Sequence, residues 1–320
     1  MKHARYYRTK LDFADRAVYD ALVFAMENLE AETSLPVFDH SHLDQIIYAL
    51  NFDNPHLFYV DFYRTRIWHT LLSARAELCY KYTTKEIQNL QQRIDEETRP
   101  IVHAARGKKG RELALYLHDR LVRRGVYKED PTHPDDAHTI IGMLLYNECV
   151  CEGYAKLFQY LADLTGLLSL IVTGNAVHPD GTSGGHAWNI VRYDGICYHV
   201  DVTFDLLIGR RFCSRAYFGL STKEISYDHQ FSPMFPLPDC PKYGGSLELV
   251  SGTRELMDFL AREVSRGASY SEVRLSKGFP QGELMDRIQK KLNIKDFRWY
   301  NKIQSFWYGE QNKSLFITWK

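Results

Sequence analysis

The sequence has no long hydrophobic run. No apolar stretch in its 320 residues approaches the roughly 18 needed to span a bilayer, so no membrane-spanning helix is expected. It also has no excess of either charge. The 40 basic and 40 acidic residues cancel, which leaves no electrostatic footprint for nucleic acid or an anionic membrane. The opening residues, MKHARYYRTKLDFADRAVYDALVF, lack an apolar h-region and run straight into an amphipathic pattern, so no signal peptide is expected. Cysteine is sparse and scattered. Cys79, Cys149, Cys151, Cys197, Cys213 and Cys240 do not make a disulfide scaffold in a chain this long, and a reducing, cytoplasmic setting is the expectation. There is no internal repeat, no low-complexity segment and no EF-hand loop that would imply calcium.

What is present is enough apolar residue, 45%, for a sizeable core, in a chain long enough for two or three units. Val18, Leu22, Met26 and Leu29 fall at helical spacing, and Pro36 ends that region. Ser41 is placed to cap a short helix through Leu50. LFYVDFY and RIWHTLLSARAELCYKY read as β-rich. Thr83 and Glu86 form a capping box that opens a polar helix toward Arg99-Pro100. GKKG (107–110) reads as a joint, followed by a stripe of Leu113, Leu117 and Leu121. KEDPTHPDD reads as a loop and IIGMLLY as a helix. From Cys151, the residues Tyr154, Leu157, Phe158, Leu161 and Leu164 mark a helix closed by Gly166. Strands follow in LLSLIVTG, HAWNIVRY and ICYHVDVTF. PLPDCPKYGGS then turns to proline and glycine. Beyond it come SLELVS, a helix on Leu256, Phe259, Leu260 and Val264, SEVRLS, a second helix on Leu284, Ile288 and Leu292, and two aromatic strands around GEQNK. The chain thus divides into 1–106 (helical and β-rich), 107–241 (the core) and 242–320 (a βαβαββ unit), with an α+β fold class.

The chemistry centres on NECVCEGYAKLF. Two thiols close together, Cys149 and Cys151, are open to several readings: a metal site, half a disulfide, packing, or a nucleophile. A zinc site from Cys149, Cys151, His178 and His199 lacks a second ligand pair at zinc spacing. Cys151 opens a helix, where unpaired N–H groups and the macrodipole stabilise a thiolate and can hold an oxyanion. Gly153 removes a side chain beside the thiol, so another backbone or a substrate can approach. A cysteine nucleophile needs a base and an orienting group. Asp194-Gly195 is a two-residue hairpin signal. It pairs Tyr193 with Ile196, Ile190 with His199 and Trp188 with Asp201. His186, Trp188 and Asp201 then share one face, with His186 and Asp201 diagonal at roughly 7–8 Å. Asp205 lies on the same face of the expected strand, so alternation alone does not separate it from Asp201.

C-E-G-Y-A at a helix start, G-H-A-W-N on a strand and Y-H-V-D-V-T-F-D on the next resemble the bacterial transglutaminase-like superfamily. The resemblance covers about residues 110 to 240. It implies a papain-like core with Cys151 as nucleophile, His186 as base and Asp201 as third member. Two features depart from the pattern. Cys149 stands where members commonly have glycine, and Val202 and Phe204 stand where proline and tryptophan usually follow the aspartate.

The expected activity is acyl transfer from a peptide or protein amide to water or an amine, by a cysteine protease, amidase or transglutaminase, in a chain of several domains. It requires no metal and no cofactor, and involves neither nucleic acid nor membrane. Trp188 is expected as core beside the histidine or as a wall of the substrate channel, and Gly153 as a substrate-side residue. The alternative is a catalytically silent interaction protein that keeps the fold. Substrate identity and oligomeric state are not legible.

Overall fold

A computed structural model of the chain describes residues 5–70, 72–177, 181–209, 212–232, 234–276, 279, 302–309 and 313–320. The fold is α+β. The first part contains α1 (Phe13–Glu27), β1 (Glu32–Leu35), α2 (Leu43–Asp53), β2 (Arg66–His69), β3 (Ala74–Glu77) and α3 (Thr84–Ala105). The middle contains α4 (Gly110–Arg124), α5 (Pro134–Ala137), α6 (Cys151–Thr165), β4 (Leu168–Val177), β5 (Ser183–Tyr193), β6 (Ile196–Val200), α7 (Val202–Gly209), β7 (Phe218–Leu220), α8 (Thr222–Ile225) and β8 (His229–Phe231). The last part contains β9 (Leu249–Val250), α9 (Thr253–Ser265), β10 (Tyr270–Leu275), β11 (Ile303–Gly309) and β12 (Ser314–Trp319).

The central sheet is antiparallel, in the order β7-β6-β5-β4-β8, and α6 packs on β4 and β5. Asn189 Nδ2 ties sheet to helix by donating to the Ala155 carbonyl at 3.0 Å. The first part joins the same core. Tyr48 Oη meets Thr173 Oγ1 at 2.8 Å, and Gln159 Nε2 donates to the Phe52 carbonyl at 2.7 Å. One apolar cluster accordingly runs from Tyr7 to Cys240. The 242–320 segment has its own cluster around Leu256, Val273 and Ile317, but Phe316 packs with Phe204 and Tyr217 of the middle part.

Several local expectations are met. The Thr83–Glu86 capping box forms at the start of α3. Leu113, Leu117 and Leu121 are buried on α4. Gly166 caps α6 in the left-handed conformation at φ 81°. The hairpin register is Tyr193↔Ile196 and Ile190↔His199.

Others are corrected. LFYVDFY (57–63) forms turns with a single bridge, Val60↔Tyr80, rather than a strand. Asp39, not Ser41, caps the short turn before α2, accepting from Ser41 N–H at 2.9 Å. Helix α3 continues through Pro100, which is exposed. The residue whose carbonyl loses its partner, Glu96, is exposed as well, so the proline is tolerated. IIGMLLY yields one wide π turn over Gly142–Tyr146. Strand β6 stops at Val200, and VTFDLLIG turns into α7. Asp201 causes the switch by accepting from the Phe204 N–H at 3.0 Å in the manner of a helix cap. The expected helix on Leu284, Ile288 and Leu292 lies outside the described residues.

Candidate active site

Helix α6 begins at Cys151, and its N-cap residue is Val150. Valine offers no side-chain acceptor, so the N-cap side chain takes none of the first-turn N–H groups. Cys149 is fully buried, its thiol 3.5 Å from the Ala137 carbonyl, and burial pushes its pKa well above the usual thiol range. Of the two neighbouring thiols, only Cys151 reaches partial exposure.

His186 lies on β5 opposite Gly174 of β4. Its Nε2 meets Asp201 Oδ2 at 2.6 Å, with both side chains buried. Asp201 is not the ladder partner of Trp188, because pairing ends at Asn189↔Val200. It follows the strand end, where its N–H donates to the Tyr217 carbonyl at 3.0 Å. Burial disfavours the imidazolium. The Asp201 carboxylate and the Cys151 sulfur outweigh it and raise His186 to about 10. Asp201 is held well below the usual carboxylate range despite its burial, by His186 first and then by His229. Burial and the neighbouring Cys151 raise Tyr127 to about 12.

The structure separates the readings left open for Trp188 and Gly153. Trp188 is 1% exposed, stacked beside His186 with centroids 5.9 Å apart, and donates from Nε1 to His199 Nδ1 at 3.0 Å. It supports the imidazole from within rather than walling a channel. A Cβ on Gly153 would lie 2.3 Å from the Ala137 carbonyl oxygen, so the approach this glycine permits is that of the chain's own backbone, not of a substrate. Asp205 is separated from Asp201 by the start of α7. It binds His118 Nε2 at 2.9 Å and Ser214 Oγ at 2.8 Å in a different cluster.

His229 stood out little in the sequence. Its Nε2 reaches the same Asp201 oxygen at 3.0 Å, and its Nδ1 reaches Asp228 Oδ1 at 2.5 Å. Tyr217 Oη donates to the other Asp228 oxygen. The Asp228-His229 pair in SYDHQ was the available signal, but β8 reaches the site only by pairing with β4, some fifty residues earlier. Gly174 permits that approach, since a Cβ there would sit 1.7 Å from the Gln230 carbonyl oxygen. Donor atoms of His186, Asp201 and His229 lie within 4.8 Å of one another. Both Nε2 atoms converge on one carboxylate oxygen, which is the geometry of two N–H donors on one acceptor. His199 stays neutral, lowered to about 3 by burial and by the His229 charge.

A cavity of about 730 Å³ flanks the first turn of α6, with Phe52, Phe58 and Phe62 in its walls beside Glu152 and Lys156. Glu152 accepts from Lys156 at 2.7 Å and meets His138 at 2.9 Å. Among the described residues, no helix is long and apolar enough to cross a membrane.

No family model and no curated protein matches the chain. Solved structures are similar in part. One is a TGase, at 11% identity and TM-score 0.29, over 54% of this chain and 50% of that one. Another is a candidate cysteine protease from Cytophaga hutchinsonii, at 12% identity and TM-score 0.29, over 44% and 61%. A third is a candidate protease from Parabacteroides distasonis, at 10% identity and TM-score 0.25, over 44% and 35%. The chain spans about half the length of the TGase.

Proposed function

We propose that the protein is a transglutaminase-like cysteine enzyme that transfers an acyl group from a peptide or protein amide. Cys151 is the nucleophile, His186 the base and Asp201 the orienting carboxylate. The observation that carries this reading is the buried 2.6 Å contact between His186 Nε2 and Asp201 Oδ2, which directs the other face of the imidazole to proton exchange.

With Nε2 committed to Asp201, Nδ1 already holds the proton drawn from the thiol, in keeping with the raised proton affinity of His186. The thiolate attacks the amide carbon, and negative charge develops on the carbonyl oxygen. The uncapped N–H groups of the first turn of α6 suit that charge. His186 Nδ1 then protonates the leaving amine, and a thioester to Cys151 remains. Water or a second amine attacks the thioester, His186 accepts its proton, and the thiol is restored. Asp201 keeps the imidazole in one tautomer and offsets its charge, as the carboxylate does in serine triads.

The test is an activity-based thiol probe with mass readout, followed by a peptide-library screen with a labelled primary amine present. Cys151→Ala is expected to abolish labelling and turnover, and Cys149→Ala to keep most of both. Fast labelling at Cys149 would move the nucleophile. An unreactive Cys151 with no product from any amide would identify a silent interaction protein instead.

A further inference from the structure

We propose that His229 is a positioning residue for the Cys151 reaction, a resident imidazolium that shares Asp201 with His186 and thereby limits how tightly His186 holds its proton. The inference rests on the function proposed above.

Both ring nitrogens of His229 face carboxylates, Asp201 at 3.0 Å and Asp228 at 2.5 Å. A neutral imidazole has one N–H and cannot donate to both. Asp228 has its second oxygen occupied by Tyr217 Oη, so it acts as acceptor on both sides. The His229 side chain is fully buried, and water cannot take over either bond. Burial opposes the charge, but Asp201 and Asp228 outweigh it and raise the His229 pKa.

Every titratable neighbour fits this charge. From β5, His186 lies with its ring centroid 5.3 Å away. From β6, His199 is neutral and pushed further from protonation by His229. From the end of β6 comes Asp201, and from the turn before β8 comes Asp228. Tyr217 approaches from just before β7, its ring 5.8 Å away and its proton retained because burial and Asp228 both disfavour the phenolate. Trp188 and Phe204 close the remaining sides with apolar faces at 4.8 and 4.7 Å.

The consequence for His186 has a definite sign. Asp201 alone would make His186 a strong base that returns its proton to the leaving amine slowly. A second cation on the same oxygen weakens that attraction, bringing the imidazole closer to the operating pH. Removing the His229 charge raises the His186 midpoint.

NMR titration of the His186 ring in the full-length protein tests this. In the parent protein the midpoint is expected well above that of an ordinary histidine. In His229→Gln, which keeps a donor toward Asp201 but no charge, it is expected to rise by about one pH unit. The proton-return step slows with it, so kcat falls while KM holds. A midpoint that is unchanged or lower in a folded His229→Gln protein overturns the proposal. Should that variant not fold, parent His229 carrying protons on both nitrogens at neutral pH supports it, and a single proton overturns it. Activity that survives in Cys151→Ala would remove the proposed function separately, because the His186 midpoint is read without turnover.

Discussion

A Cβ on Gly153 would lie 2.5 Å from the sulfur of Cys149. The two residues lock together, and their contact explains the paired thiols. Cys149 fills the space behind the first turn of α6, against the Ala137 carbonyl, and the missing side chain of Gly153 lets it do so. Cys149 is therefore a packing thiol. Its complete burial also argues against a role in resolving an oxidised Cys151.

Gly153→Ala is expected to displace the first turn and to cut Cys151 labelling at least tenfold. The added methyl meets backbone at 2.3 Å, which cannot rotate away. Adding Cys149→Ala should not restore labelling, because the Ala137 carbonyl remains. Rescue by that second change would show that the sulfur alone sets the limit. Labelling rates and thermal midpoints of both variants decide it.

Asp201→Asn is expected to leave a folded protein with turnover lower by on the order of ten-thousandfold, by analogy with a serine triad. One oxygen can still accept from the Phe204 N–H, but the negative charge shared by His186 and His229 is gone. Steady-state kinetics on a good substrate make the measurement. A loss under tenfold would mean that Asp201 does not orient the base.

The Pro- and Gly-rich stretch near residue 242 predicts a chain that stays folded when it ends there, but buried contacts across the break reverse that expectation, and such a chain is expected to be insoluble or protease-sensitive. Although 242–320 has its own apolar cluster, its contacts with the middle part are buried. Arg274, 4% exposed, pairs with Glu224 at 3.1 Å and donates to the Ala216 carbonyl at 3.3 Å. Phe316 packs in one cluster with Phe204, whose ring lies 5.0 Å from His186. Truncation opens that cluster beside the site. A soluble fragment that still labels at Cys151 would contradict this.

The same interface predicts a pH dependence. Ser214 Oγ lies 2.8 Å from Asp205 Oδ1 and 3.0 Å from Glu272 Oε1, and one hydroxyl proton cannot serve both carboxylates. Burial, then the charge of Asp205, raises Glu272 to about 8. A carboxyl raised on folding contributes stability that is full below its unfolded value, about 4.3, and is lost as pH rises through about 8. Glu272→Gln removes that loss. Its thermal midpoint is expected to gain roughly 3 °C or more on the parent between pH 5 and pH 9. Parallel curves for the two proteins would show that Glu272 does not titrate there.

The sequence by itself determined the helix that begins at Cys151 and the hairpin that carries His186. Both depend on neighbours along the chain. Apolar residues at helical spacing end at a glycine able to take φ 81°, and Asp194-Gly195 turns with φ values of 53° and 80°. A turn of that type sets the register, and the register sets the face. Tertiary structure decided the rest. Asp201 reaches His186 because β6 ends and α7 begins, a switch made by a cap bond and by the Tyr217 carbonyl. Trp188 is sealed inside because β8 folds over it with Phe231, centroids 5.6 Å apart. His229 joins Asp201 only through the β4–β8 pairing and the space left by Gly174. Local propensity cannot encode these meetings, since each depends on which distant strand wins the open edge of a sheet, and that is settled by the burial of both faces at once.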